Sequence, residues 1–135
     1  MNKEKTTCLP AEQRIVSISE TISRLLTSDE NNKVEVIRHG TLRAVLFTPR
    51  VDIPQLPHTQ DEIYVVVQGS SDFINGEVQR PVSPGDFLFV PATVEHCFVN
   101  FSDDFIAWVI FYGPEGGESS SGENVSHNNL IINEL

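Results

Sequence analysis

The chain has few basic side chains and no long hydrophobic run. Nine Lys and Arg residues stand against nineteen Asp and Glu residues, which gives a formal net charge of −10. Nucleic-acid phosphates and anionic membrane surfaces would be repelled by such a chain, so neither is expected as a partner. No apolar run approaches the roughly 18 residues of a membrane-spanning helix, and the N-terminal segment lacks the apolar core of a signal peptide. We therefore expect a cytoplasmic protein.

Cysteine is also scarce, and its two positions exclude a covalent framework. Cys8 and Cys97 lie far apart, with no spacing typical of disulfide-rich domains or zinc knuckles. The fold must therefore be stabilised by a hydrophobic core, and 135 residues with 39% hydrophobic content are sufficient to form one. We expect a single globular domain.

A short helix is predicted near the N-terminus, after a polar arm. Ile22, Leu25 and Leu26 recur at helical spacing. Ser19 is the expected N-cap, with Ile18 as the apolar residue just outside the helix. The prediction is a helix over residues 19–27 that packs on the outside of the fold. The arm and helix together make up residues 1–32.

Short segments of β type follow the helix. From residue 33 to 113, stretches rich in β-branched and aromatic residues alternate with Gly, Pro, Asn and Asp, and no helical segment intervenes. This pattern predicts an all-β antiparallel sandwich or barrel. Residues 114–135 form a polar C-terminal tail. Its last stretch, NNLIINEL, either docks as a strand or on a partner subunit, or it stays an unstructured tail.

Alternation along two segments places polar and aromatic side chains on common faces, because residues i and i+2 of a strand share a face. A strand that starts near residue 56 places one set on a common face: Leu56, His58, Gln60, Glu62 and Tyr64. A later strand does the same for a second set: Val94, His96, Phe98 and Asn100. If the two strands face each other across a barrel, His58, Glu62 and His96 can converge. Two imidazoles and one carboxylate suit Fe(II) and accept Mn, Ni, Co or Zn, with positions left open for water or substrate.

The same two segments resemble the two motifs of the cupin superfamily. In HTQDEIYVVVQG, His58 is followed after three residues by Glu62 and after six more by Gly69. In GDFLFVPATVEHCFVN, the expected Gly, Pro, His and Asn recur at the family's spacing. The resemblance extends over residues 33–113 and implies a small single-domain cupin of the RmlC-like type. The implied fold is an antiparallel double-stranded β-helix, or jelly roll, with a short N-terminal helix.

Two positions depart from the cupin motifs. Leu56 stands where the family has the first histidine of a His-x-His pair, which removes one ligand. Thr93 stands where the second motif has glycine, which should alter only a turn. The resemblance then implies a divalent metal held by His58, Glu62 and His96. Gln55 would reach such a site only from an irregular strand start.

The remaining candidate residues are assigned to a pocket beside the metal. Water or Gln60 would fill the open positions, and three aromatic residues, Tyr64, Phe98 and Trp108, would line the barrel if they point inward. Core packing is the alternative role of these aromatic residues.

Three functions fit these residues. The first is a metal-dependent oxygenase, isomerase or lyase acting on a small oxygenated organic molecule. The second is a non-catalytic module that binds a small molecule, and the third is a structural cupin without a functional metal site. The fold alone cannot decide among them. Small cupins resemble dimers that pair edge strands, so we also expect a homodimer.

Overall fold

The computed structural model describes residues 9–28 and 31–119, and the N-terminal arm up to Cys8 and the predicted docking stretch NNLIINEL lie outside these residues. A single 3-10 turn at Ala11–Gln13 precedes the main elements. These are one helix and eight strands: α1 (Ile18–Leu26), β1 (Lys33–His39), β2 (Leu42–Phe47), β3 (Asp61–Gln68), β4 (Ser71–Asn75), β5 (Val78–Val82), β6 (Phe87–Val90), β7 (His96–Val99) and β8 (Ile106–Tyr112). In the part of the chain that is described, no helix is both long and apolar enough to cross a membrane.

The eight strands form two antiparallel sheets. One has five strands in the order β1-β2-β8-β3-β6, and the other has three in the order β5-β4-β7. Apolar side chains from both sheets meet in one core cluster, which includes Tyr64 on β3, Phe73 on β4 and Phe98 on β7. The predicted all-β antiparallel jelly roll with a short N-terminal helix is confirmed.

Helix α1 begins one residue earlier than predicted, and its N-cap is Ser17 rather than Ser19. Ser17 has an extended backbone, and its hydroxyl oxygen accepts a hydrogen bond from the Glu20 amide. Ser17 and Glu20 stand at the spacing of a capping box, which is a stronger start signal than the apolar residue before Ser19. The helix packs on the outer face of the five-stranded sheet, as expected, with Leu25 against Leu46 and Ile106.

Trp108 was predicted as a possible pocket residue, and the structure corrects this. Residues Ala107, Val109 and Phe111 of β8 point into the barrel core. Trp108 has the opposite parity and packs in the outer cluster beneath α1. Helix α1 covers that face of the sheet, so β8 is apolar on both sides and its sequence does not reveal which side is inner.

Phe98 belongs to the packed core rather than to a pocket. Its ring lies 5.0 Å from the ring of Tyr64, 4.6 Å from that of Phe73 and 4.9 Å from that of Phe105, measured between centroids. The side chain is fully buried. Such a cluster stabilises the barrel through burial and edge contacts between rings.

Gly69 closes the turn between β3 and β4 where the chain passes close to β8. Its φ of 83° lies in the left-handed region, and an added Cβ would stand 2.6 Å from Phe105 Cα. Gly85, which opens the second motif, has a similar φ of 91° but open space where its Cβ would be. Glycine is therefore required at position 69 both by the positive φ and by the nearby backbone of Phe105. At position 85 it is required by the positive φ alone.

This difference predicts unequal costs for the same substitution. Gly69→Ala should lower the free energy of unfolding by roughly 3 kcal/mol, because backbone strain adds to a clash with backbone atoms. Gly85→Ala, the matched control, should cost about 1 kcal/mol from strain alone. Urea denaturation of both variants measures the difference. Equal losses would contradict the close approach at Gly69.

Candidate functional site

Two ionisable side chains meet in the interior between the sheets. Strand β3 directs Glu62 inward and β7 directs His96 inward, and they are only 1% and 6% exposed. His96 Nε2 lies 3.1 Å from Glu62 Oε2. The structure thus brings together two of the three residues predicted to converge.

His96 is fixed by bonds at both ring nitrogens. Its Nδ1 lies 2.8 Å from the Val94 carbonyl oxygen, and because a carbonyl only accepts, Nδ1 carries a proton. Its Nε2 faces Glu62 and also lies 3.2 Å from the Tyr64 hydroxyl. Burial lowers the pKa of His96, but the hydrogen bond with Glu62, the bond to Val94 and the charge of Glu62 outweigh burial and raise the pKa above its ordinary value.

Glu62 is bonded through one oxygen only. Among the described residues, its Oε1 is buried with no hydrogen-bond partner. A buried carboxylate oxygen without a donor is unfavourable, because its hydration is lost and nothing replaces it. A cation or a donor group that reached this atom would restore the lost interaction.

His58 does not join the pair. Its ring is half-buried and packs against Phe111 at 4.5 Å between centroids, while its carbonyl oxygen accepts from the Thr93 amide at 2.7 Å. Burial lowers the pKa of His58 more than the charge of Glu62 raises it. Within residues 9–28 and 31–119, no three His, Cys, Asp or Glu side chains form a group able to hold a metal.

A small cavity of about 110 Å³ connects these residues, and His58, Tyr64 and His96 line it. Glu62 lies behind this wall, in contact with His96. Gln60 was predicted beside the metal, but its amide donates to the carbonyl oxygens of Thr41 and Gly113 and ties two turns together. Gln60, Phe98 and Trp108 are not among the lining residues.

The segment before β3 is irregular, so the predicted strand start near Leu56 is wrong. Strand β3 begins at Asp61, and Leu56 is 65% exposed. Pro54 and Pro57 flank Leu56 and cannot donate to a strand ladder. Leu56 is thus largely exposed at the rim of the cavity, where the family's histidine would point inward.

Gln55 lines the cavity from this irregular segment. The sequence predicted that Gln55 would reach the site only if the strand start were irregular. Its side-chain oxygen accepts from the Phe98 amide at 2.8 Å, and its nitrogen donates to the Phe98 carbonyl at 3.1 Å. The amide therefore pairs with β7 as a neighbouring strand would. The alternation of side chains could not predict these hydrogen bonds, because it applies to a regular strand and none forms at Gln55.

Arg43 and Lys33 also line the cavity and were not found from the sequence. Arg43 shares the parity of Val45 and Phe47 on β2, which both pack at the core. This alternation of an arginine with two core residues is the sequence feature that could have placed Arg43 on the inner face.

Thr93 has a left-handed backbone conformation of the kind that glycine adopts without strain. Its φ is 69°, which a β-branched residue adopts at a cost. The Thr93 amide donates to the His58 carbonyl oxygen, which ties this turn to the segment before β3.

The Glu62–His96 contact predicts a pH dependence of stability. The folded pKa of His96 lies above 6.5, so the stabilisation is fully present below about pH 6.5 and is lost as the pH rises through the folded pKa. His58, with a lowered pKa, acts in the opposite sense and costs stability as the pH falls below 6.5. In wild-type protein the free energy of unfolding should therefore decline above about pH 6.5. In chelator-treated Glu62→Gln protein this decline should be mostly absent.

Urea denaturation at a series of pH values measures this effect. His58→Ala is the control, because it should remove the loss on the acid side and keep the decline on the alkaline side. An undiminished alkaline decline in Glu62→Gln would show that another group causes it.

Three known proteins are similar to this chain. An uncharacterized protein of Streptomyces coelicolor is 41% identical over 61 residues, which cover 45% of this chain and 58% of that protein. A cupin-2 domain protein from Shewanella frigidimarina has a TM-score of 0.61 at 13% identity and covers 77% of this chain and 100% of that one. The DMSP lyase DddQ from Ruegeria pomeroyi is 27% identical with a TM-score of 0.50, over 60% of this chain and 46% of that one.

The match to a family covers most of the strands that build the site. The Cupin domain family matches residues 44–112, from within β2 to the end of β8 and about half of the chain. This range contains both motifs, the Glu62–His96 pair and the turn at Thr93. The chain is a member of the cupin family.

Proposed function

We propose that this cupin binds a small oxygenated organic molecule in the cavity and a divalent metal through His58, Glu62 and His96. The metal would be Fe, Mn, Ni, Co or Zn, which accept two imidazoles and a carboxylate. The observation that carries the proposal is the buried Oε1 of Glu62, which has no partner among the described residues. A cation at this atom would satisfy it.

The bonding of His96 supports the same assignment. Histidines that bind metals almost always donate their second ring nitrogen to a carbonyl or carboxylate, and His96 Nδ1 faces the Val94 carbonyl in this way. Its Nε2 is then the atom that would ligate. His58 would have to leave Phe111 and turn towards Glu62, so the proposal includes a change of side-chain conformation at His58.

We infer a lyase or isomerase reaction in preference to oxygenation. A bound metal would act as a Lewis acid on an oxygen of the ligand. With His96 as a ligand, the Tyr64 hydroxyl beside it in the cavity wall would donate a hydrogen bond to the bound molecule. Burial, and then the charge of Glu62, raise the pKa of Tyr64, so its hydroxyl is protonated near neutral pH. Similarity to a DMSP lyase at 27% identity supports a lyase among these classes.

A non-catalytic binding protein is the second candidate. The exposed Leu56 in place of a family ligand and the separation of His58 from Glu62 favour it. Such a protein would bind its small molecule in the absence of metal and release it unchanged.

Metal binding separates the two candidates. Untagged wild-type protein should contain close to one equivalent of a divalent metal by elemental analysis. His58→Ala, Glu62→Gln and His96→Ala should each lose at least about tenfold in affinity for added Zn²⁺ in calorimetric titrations. His39→Ala, an exposed histidine on β1, is the matched control and should bind as the wild type does.

Two results would overturn the metal proposal. Folded wild-type protein that takes up no Zn²⁺ would exclude the site. Unchanged uptake in the three variants would place the metal elsewhere.

We also propose a homodimer through the edge of the five-stranded sheet at β6. Among the described strands, β1 and β6 form the two edges of this sheet. Phe87 and Phe89 on β6 are 65% and 45% exposed, and Val78 on β5 lies across the groove beside them. Exposed apolar groups along a strand edge favour pairing with a second copy.

Sedimentation velocity tests the dimer. The 15.1 kDa chain should sediment at twice its mass, and Phe87→Glu should shift it to the monomer, because a buried unpaired charge is costly. Leu26→Glu on α1, an equally exposed apolar position, is the control and should stay dimeric. A wild-type monomer at micromolar concentration would refute the dimer.

A further inference from the structure

We propose that the cavity beside His96 selects a short-chain carboxylate, whose negative charge is held by Arg43 and Lys33. This inference rests on the proposed function and names the class of molecule that the site would take. It is carried by the charge, the shape and the size of the cavity.

The charge of the cavity wall is opposite to that of the chain. The protein carries a formal net charge of −10, yet both charged residues that line the cavity, Lys33 and Arg43, are basic. None of the described Asp or Glu residues lines it. Glu62 lies behind the wall at His96, whereas Lys33 and Arg43 stand on the cavity surface itself. Potential in a concave site is set by the nearest charges, so an anion is favoured at the Lys33 and Arg43 end despite the overall charge.

Arg43 is held in place and is only weakly paired. Its guanidinium carbon lies 4.6 Å from the centroid of the Phe111 ring, over its face, and the same ring also contacts His58. Its ion pair with Glu35 is long, at 3.5 Å, and partly exposed, so it contributes little. A planar guanidinium positioned on an aromatic ring can bind a carboxylate through two parallel hydrogen bonds.

The size and lining of the cavity limit the rest of the ligand. A cavity of about 150 Å³ can hold a benzene molecule, so 110 Å³ leaves room for a molecule of three or four carbons. Val45, Phe47 and Val109 supply apolar wall. One end of such a molecule would meet Arg43, and the other end would lie near Tyr64 and His96.

Paired probes of equal size test this inference. Lactate and lactamide differ in charge but hardly in shape, and their affinities for isotope-labelled, chelator-treated protein can be measured by NMR titration. We expect lactate to bind wild-type protein at least about tenfold more tightly than lactamide, as charge-assisted hydrogen bonds are stronger than neutral ones. Inorganic phosphate, titrated in parallel, should bind more weakly than lactate, because it has no carbon skeleton to pack against the apolar wall.

Variants locate the effect. Arg43→Gln should bring the lactate preference close to unity, Lys33→Gln should reduce it, and Arg43→Lys should retain part of it. Arg38→Gln is the matched control, because Arg38 also pairs with Glu35 but does not line the cavity. Amide spectra of each variant verify that it is folded before it is titrated.

The outcomes separate this inference from the proposed function. Equal binding of lactate and lactamide, no binding of lactate, tighter binding of phosphate, or an equal loss in Arg38→Gln would each overturn the carboxylate assignment, even if metal binds. A preference for lactate that depends on Arg43 would support it, even if Zn²⁺ uptake fails and the metal proposal falls.

Discussion

The burial of Glu62 against His96 is the interaction on which the rest of the site depends. Removing a carboxylate and an imidazole from water costs several kcal/mol unless their partners replace hydration. His96 meets this requirement with Val94, Glu62 and Tyr64. Among the described residues, Glu62 meets it with one oxygen only. Glu62 is therefore the member of the pair whose burial is less well compensated, which is why its second oxygen directs the functional proposal.

The fold places this pair where a ligand can approach it from one side. Strand β3 lies between β8 and β6 within the five-stranded sheet, and this holds Glu62 and Tyr64 at fixed positions. Strand β7 in the opposite sheet brings His96 to them. Gln55 secures the irregular segment before β3 by bonding to the backbone of Phe98. The wall nearest to solvent is therefore an irregular loop carrying His58, while the polar pair behind it rests on rigid strands.

Much of the fold and the inner part of the site could be predicted from the sequence. Period-two alternation correctly placed Glu62, Tyr64, His96 and Phe98 on inner faces, because these residues lie in continuous strand ladders. The same reasoning failed at Leu56 and Gln60, since the two prolines there prevent a ladder and the parity no longer holds. It could not orient Trp108, because α1 buries the outer face of β8 and both faces of that strand are apolar. Arg43 and Lys33 were missed because their importance arises from the cavity, which forms only when β1, β2 and the segment before β3 meet.

A crystal structure of the protein grown with Zn²⁺, with anomalous diffraction at the zinc edge, tests the central claim most directly. The account predicts one strong peak about 2.1 Å from Glu62 Oε1 and from His96 Nε2, with the ring of His58 turned from Phe111 to complete the set. A barrel interior without such a peak, in which Glu62 Oε1 accepts a hydrogen bond from a protein group or a water molecule instead, would contradict it.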